Sequence, residues 1–267
     1  MYLRAIHAEF EIPALRRFIR ENALGILITA LPSTSFPTLQ CTHIPWVLDV
    51  SDEDSQTELG TLRGHLARQN PHSKAMAEAV LRSSDSSLNG VLEHEVSVVF
   101  TGLVHSYVTP KFYTETKPAT GKVVPTWNYS AVQAYGRATV FCDPKSTTTD
   151  TFLSKQIVDL TKHAESSISN HTGADGRPKP WEVSDAPQSF TSILKKSIIG
   201  IEITIDRLEG KHKMTQEMSK GDRDGVIAGF EELNTESGSL MAKIVRERGA
   251  IKDAAKDAAK TAAQGAE

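Results

Sequence analysis

The sequence predicts an α+β fold, with a β-barrel in its first half and helices around one late strand in its second. Three observations predict it. Up to about residue 142, short runs of β-branched and aromatic residues recur between turn residues, as in an antiparallel barrel. Beyond Asp143 apolar residues recur at helical spacing, at Leu153, Ile157, Leu160 and Ala164, and again at Val226, Ile227, Phe230 and Leu233. Between these stretches lies one cleanly alternating strand, with Ile199, Ile201, Ile203 and Ile205 on one face and Glu202, Thr204 and Asp206 on the other.

In chain order, Pro13 suits the first turn of a helix carrying Leu15, Phe18, Ile19 and Ala23. Gly25 follows, and Ile26, Ile28 and Ala30 alternate as a strand. A turn at 32–35 leads to a second strand over 38–48, and the acidic stretch 49–58 is a loop. A third strand covers 60–66 and ends at the Asn70-Pro71 turn signal. Residues 74–82 are helical, and 83–90 form a flexible loop by composition. Strands at 96–100 and 104–108 are expected to make a hairpin about Gly102, 111–121 is exposed, and 132–141 is another strand. Asp150 is the cap candidate for the following helix, and Asp222 for a later one. A Gly/Pro loop at 171–179 and a compact segment at 181–187 precede the late barrel strand, 198–211, and the C-terminal helices lie within 222–249.

Residues 1–249 are thus expected to form one domain. Residues 250–267 repeat Ala-Ala-Lys-Asp, with Ile251 as the sole large apolar residue. Alanine favours helix, but without an apolar stripe the tail is expected to be disordered or loosely helical, or to meet a partner.

Composition narrows the function. Of 267 residues, 39% are hydrophobic and 24% charged, as in an ordinary globular protein. A net charge of -3 argues against a nucleic-acid backbone as main partner, and so against direct DNA binding. Cys41 and Cys142 make no disulfide framework, which points to a reducing compartment. No run approaches the roughly 20 apolar residues that span a bilayer, and no signal-peptide core follows Met1. A cytoplasmic or otherwise intracellular protein is expected.

Three segments carry unusual chemistry beside strand-like runs. Arg63, His65 and Arg68 put two guanidinium groups and an imidazole where a strand meets a turn, which suits phosphate but equally a solvated basic edge. Thr126-Trp127-Asn128-Tyr129 offers flat rings and an amide for a ligand ring, or an aromatic pair in a β core. Pro125 marks that strand as an edge or irregular one. Lys211, Lys213 and Gln216 follow the isoleucine strand, where two cations on one face could neutralise an anion or simply end a strand. His43, His65, His72, His94 and His105 have no zinc-ligand spacing, so no metal site is expected. The chain also has no Walker loop, no G-x-G-x-x-G and no nucleophile elbow.

Taken together, Thr42-His43-Ile44-Pro45, the run 64–71 (Gly-His-Leu-Ala-Arg-Gln-Asn-Pro), Val124-Pro125-Thr126-Trp127-Asn128-Tyr129, the run 180–187 and Leu208-Glu209-Gly210-Lys211 resemble the PaiB-type family of FMN-binding negative transcriptional regulators. The resemblance runs from Met1 to about Gly249. It implies an FMN-binding split β-barrel like that of pyridoxamine-phosphate oxidase, with flanking helices, in a homodimer that holds FMN and a small-molecule ligand at its interface. On this implication Arg63, His65 and Arg68 lie near the FMN phosphate, and Thr42, His43, Ile44 and Pro45 pass the isoalloxazine. Trp127, Asn128 and Tyr129 line the ring pocket, and Lys211, Lys213 and Gln216 approach from the late strand. The candidate catalytic residues are His65, Tyr129 and Lys213. Where that family reads Lys-Trp-Lys-Leu-Ser-Gln-Asn-Arg, this chain has Lys211-His212-Lys213-Met214-Thr215-Gln216-Glu217-Met218. The resemblance implies three functions: a flavin-dependent oxidoreductase on a small molecule, a regulator sensing flavin or acting through a partner, or a haem-binding or biosynthetic protein reusing the pocket.

Overall fold

A computed structural model of the chain describes residues 1–82 and 90–264. The loop expected at 83–90 falls, apart from Gly90, outside the described residues. The elements run β1 (Ala8–Glu9), α1 (Ile12–Glu21), β2 (Leu24–Ala30), β3 (Leu39–Pro45), β4 (Val47–Asp49), β5 (Thr61–Ala67), α2 (Pro71–Arg82), β6 (Val96–Thr101) and β7 (Ser106–Val108). They continue with α3 (Thr116–Thr120), β8 (Thr126–Phe141), α4 (Thr147–His163), α5 (Gln188–Lys196), β9 (Ile198–Lys213), α6 (Lys220–Glu231) and α7 (Glu236–Gln264). The architecture is α+β, a curled antiparallel sheet forming a split barrel with flanking helices.

The chain divides into two compact units. The larger comprises residues 11–100 and 133–208. Its strands lie in the order β3-β2-β6-β8-β9-β5-β4. The sheet curls until its distant strands meet: a Cβ on Gly64 of β5 would lie 3.0 Å from Ile44 of β3 and from the Trp46 ring. That contact fills the barrel interior, where Leu27, Ile44, Trp46, Leu62 and Ile201 are nearly inaccessible. The isoleucine alternation of β9 is realised, with Ile199, Ile201, Ile203 and Ile205 all buried. Gly136 lets β8 approach β9, because a Cβ there would collide with the Thr204 carbonyl.

Strand β2 takes in the expected alternating run. Leu27 and Thr29 face the core, while Ile26 and Ile28 are half-buried on the other side. Both faces are apolar, so alternation alone does not choose between them. The strand expected over 38–48 is two strands, β3 and β4, with the buried Trp46 at the break. Ser146, not Asp150, caps α4, accepting from the Thr149 amide at 3.4 Å. Asp150 instead pairs with Lys195 at 2.6 Å.

The smaller unit comprises residues 1–10, 101–132 and 209–267. Here β1 pairs with the end of β9, Ala8 opposite Lys211, and β7 pairs with the start of β8, Tyr107 opposite Trp127. The expected hairpin about Gly102 does not form. β6 and β7 both pair with β8, whose 16 residues are long enough to serve one after the other. β8 therefore begins at Thr126, six residues before the predicted start, and takes in the Trp-Asn-Tyr run.

Val108, Met214, Phe230, Met241 and Val245 form this unit's core. α6 lies against Phe112 through Gly225, where any Cβ would strike the Phe112 carbonyl. Ser219 caps α6, not Asp222. The Asp222 carboxylate instead accepts from the amides of Glu115 (2.9 Å) and Thr116 (3.0 Å), fastening the start of α3. The stretch expected to be simply exposed thus has an anchor, and Tyr113 within it is buried. The described part of the tail is helical, with α7 running unbroken to Gln264.

Candidate functional site

In the smaller unit an open cleft of about 400 Å³ is lined by Tyr2, Arg4, His7, Thr126, Trp127, Tyr129, Lys211 and Lys213. Alternation along β9 sends Lys211 and Lys213 to one face and His212 to the other. Lys211 is buried between two rings, its ammonium 5.8 Å from the Tyr2 centroid and 5.5 Å from that of Tyr129, within cation–π range. It also donates to the Tyr2 carbonyl at 3.2 Å. Lys213 donates to the Trp127 carbonyl at 2.9 Å and to the Thr126 hydroxyl. Burial, and then the like charges of Lys211 and Arg4, push the Lys213 ammonium below its ordinary value, against the pull of Glu217. Positive charge is concentrated here, so an anion entering the cleft relieves it.

The ring surface sits beside these cations. Trp127 is half exposed, with His105 stacked at 6.2 Å and Tyr107 set edge-on at 6.2 Å. Tyr107 and Trp127 are cross-strand partners, which fixes the cluster on β7 and β8. Cationic groups that take phosphate, next to aromatic faces that take a planar ring, are the donor set an FMN-like ligand needs.

The structure brings Trp127, Tyr129, Lys211 and Lys213 together as lining of one cleft. Asn128 and Gln216 support it from beneath. Asn128 is fully buried, with its amide nitrogen and oxygen 2.9 and 3.0 Å from the Thr215 hydroxyl. Gln216 accepts from the Met214 amide at 2.6 Å and donates to the His212 carbonyl, bracing the turn after β9. Arg4 and His7, which line the same cleft, carry no motif and are not legible in the sequence.

The remaining candidates lie in the larger unit. Arg63 is buried, with Nε on Asp49 at 2.5 Å, Nη1 on Gln156 at 3.1 Å and Nη2 on Asp159 at 2.7 Å. Arg68 donates to three backbone carbonyls, of Cys142 (2.6 Å), Ile198 (3.0 Å) and Lys196 (3.1 Å). Both guanidinium groups are committed to the protein's own acceptors: Arg63 fastens α4 to β5, and Arg68 fastens the start of β9. His43 is exposed on β3 and Pro45 half-buried, whereas Ile44 is core. Thr42 accepts or donates with His72 Nδ1 at 2.9 Å, and Thr29 does so with its Nε2 at 2.9 Å. His72 is thereby a buried clasp between α2, β2 and β3, and burial pushes its pKa to about 4.

His65 lines a second cleft of about 410 Å³ with Ile157, Leu160, Trp181 and Phe190. Its Nδ1 is buried with no hydrogen-bond partner among the described residues, and burial depresses its pKa, which favours the neutral ring. Of the three catalytic candidates, Tyr129 and Lys213 share a cleft, and His65 lines this other one.

The Arg63 cluster also sets a pH response. Burial pushes the Asp159 carboxyl up, but hydrogen bonds from Lys155 and Arg63 outweigh it and hold the group below its ordinary value. Folding is therefore favoured above the unfolded carboxylate pKa, and this contribution is lost as pH falls through the lowered folded value. Melting temperature should drop steeply below about pH 4. In Asp159→Asn part of that acid slope should be missing; an identical slope in the variant would remove Asp159 from the account.

Residues 1–207 match a family described as "Putative FMN-binding domain". Over 260 residues the chain is 56% identical to an uncharacterized protein of Aspergillus fumigatus, covering 95% of this chain and 99% of that one. It is 22% identical over 247 residues to "Protease synthase and sporulation protein PAI 2" of Bacillus subtilis, covering 92% of this chain and 95% of that one. A solved structure, a conserved hypothetical protein from Mycobacterium tuberculosis, aligns with 80% of this chain and 91% of its own, at 13% identity and a TM-score of 0.44.

Proposed function

The chain belongs to the FMN-binding domain family, and from that premise we propose that it is a homodimeric flavoprotein acting as an FMN-dependent oxidoreductase on a small molecule. The observation that carries the reading is the convergence of Lys211, Lys213 and Arg4 with the faces of Trp127 and Tyr129 in one cleft. The cations would hold the phosphate and the rings would offer their faces to the isoalloxazine. The bound flavin supplies hydride or electron transfer. The protein binds it, orients it and keeps an ammonium beside it: Lys213 Nζ, with its depressed pKa, is the group suited to give a proton to a reduced substrate. A second copy of the chain covers the exposed apolar residues Leu103, Tyr107, Val124 and Trp127 of this unit.

The test is a visible spectrum of the purified protein before and after FMN addition and desalting, with sedimentation of the same sample. A retained flavin spectrum at about one per subunit in a dimer is expected. A colourless protein that releases added FMN sinks the proposal. The Bacillus relative, whose name ties that protein to protease synthesis and sporulation, favours flavin-linked regulation as the second reading. Reduction of the bound flavin by a nicotinamide cofactor separates the two, since turnover with a small acceptor belongs to the enzyme alone.

A further inference from the structure

α7 lies beyond the segment that the family match covers, and its middle turns help to enclose a cleft of about 540 Å³ against residues 5–9. Arg248, Lys252 and Lys256 follow at i, i+4 and i+8 along one helix face, with Ile251 and Ala255 between them on the same side. Across the cleft lie Ile6, His7 and His212. We propose that this cleft is a second ligand site, taking an organic anion with an apolar body: its chain on Ile6 and Ile251, its anionic head at Lys252 and Lys256.

Charge makes the argument. Glu9 is the acidic residue in the lining, and it pairs with Arg248 at 3.1 Å. Glu217 meets His7 at 3.0 Å, and Asp253 is turned to Arg223 at 2.5 Å. His212, whose Nε2 lies 2.7 Å from Arg248, is neutral because burial and then Arg248 push its pKa to about 4. Lys252 donates to the Met218 carbonyl at 3.0 Å, which is neutral, so the two lysines are left with a surplus of positive charge, and burial, Arg223 and Lys256 push the Lys252 ammonium down. The apolar part is equally built: Ile6 and Ile251 are 39% and 58% exposed, facing a cavity instead of a core. The inference stands apart from the flavin reading, because Lys252, Lys256 and Ile251 do not line the cationic cleft of β9.

Calorimetric titration of the full chain with octanoate tests it, with octanol as the uncharged control. One octanoate per chain should bind, and octanol about tenfold or more weaker. Lys252→Met/Lys256→Met should weaken octanoate by about tenfold or more. Ala255→Trp, at an exposed position, should block the cleft with an unchanged melting temperature. No heat with octanoate, equal binding of octanol, or full binding by both variants would each overturn the proposal.

Discussion

Lys211→Met/Lys213→Met is expected to lose FMN on desalting, with affinity lowered by at least about 100-fold. Charge-assisted hydrogen bonds are worth about 1.5–3 kcal/mol each, and this variant removes two cations from one anion site. Methionine keeps the bulk of the Lys211 stem between Tyr2 and Tyr129. The groups that Lys213 leaves behind, the Thr126 hydroxyl and the Trp127 carbonyl, sit beside a half-exposed tryptophan and can turn to water. The fold should therefore survive, and the melting temperature without flavin should stay close to wild type. Flavin fluorescence quenching gives the affinity directly. An unchanged dissociation constant would move the phosphate away from β9.

Arg16→Met should be strongly destabilising, at about 2–4 kcal/mol. Arg16 lies on α1 at 1% exposure. Its Nη atoms donate to four carbonyls of the acidic loop: Glu53 (2.6 Å), Glu58 (2.9 Å), Ser55 (3.0 Å) and Asp52 (3.2 Å). The Glu58 carboxylate completes the knot by accepting from the Ser51 and Asp52 amides. Methionine fills the space but takes the guanidinium donors from these carbonyls, of which Asp52 keeps another, the Ser55 amide at 3.2 Å. A fall in melting temperature of about 10 °C is expected. Lysine should rescue little, because one ammonium cannot fork across four acceptors. A melting temperature unchanged in Arg16→Met would mean that water replaces the guanidinium at no cost.

Much of the barrel is readable because its signals are local. Alternation of isoleucine and polar residues defines the core of β9 in any context, and helical spacing defines α4 and α6. The candidate site segments are readable for a different reason: Trp127, Tyr129, Lys211 and Lys213 are costly choices for strands that only have to pack. Other signals fail where they are ambiguous. β2 is apolar on both faces, so its direction depends on what it packs against. The hairpin about Gly102 fails because a nonlocal strand, β8, outcompetes the neighbour in sequence. The helix caps fall to Ser146 and Ser219 because the nearby aspartates are taken by Lys195 and the α3 amides.

The sequence by itself determined an α+β fold with a barrel and the region of the cationic cleft, because alternation and residue chemistry are properties of the chain alone, and its ordered motifs carried the resemblance that implied the flavin-binding split barrel. Only the tertiary structure decided which cations line the open cleft. Arg63, Arg68 and Lys213 are equally charged on paper. The fold spends the first two on Asp49, Asp159 and backbone carbonyls and sets the third beside Lys211 and a tryptophan face. What a side chain can do depends on which partners the rest of the chain brings within hydrogen-bonding distance, and no local pattern records that.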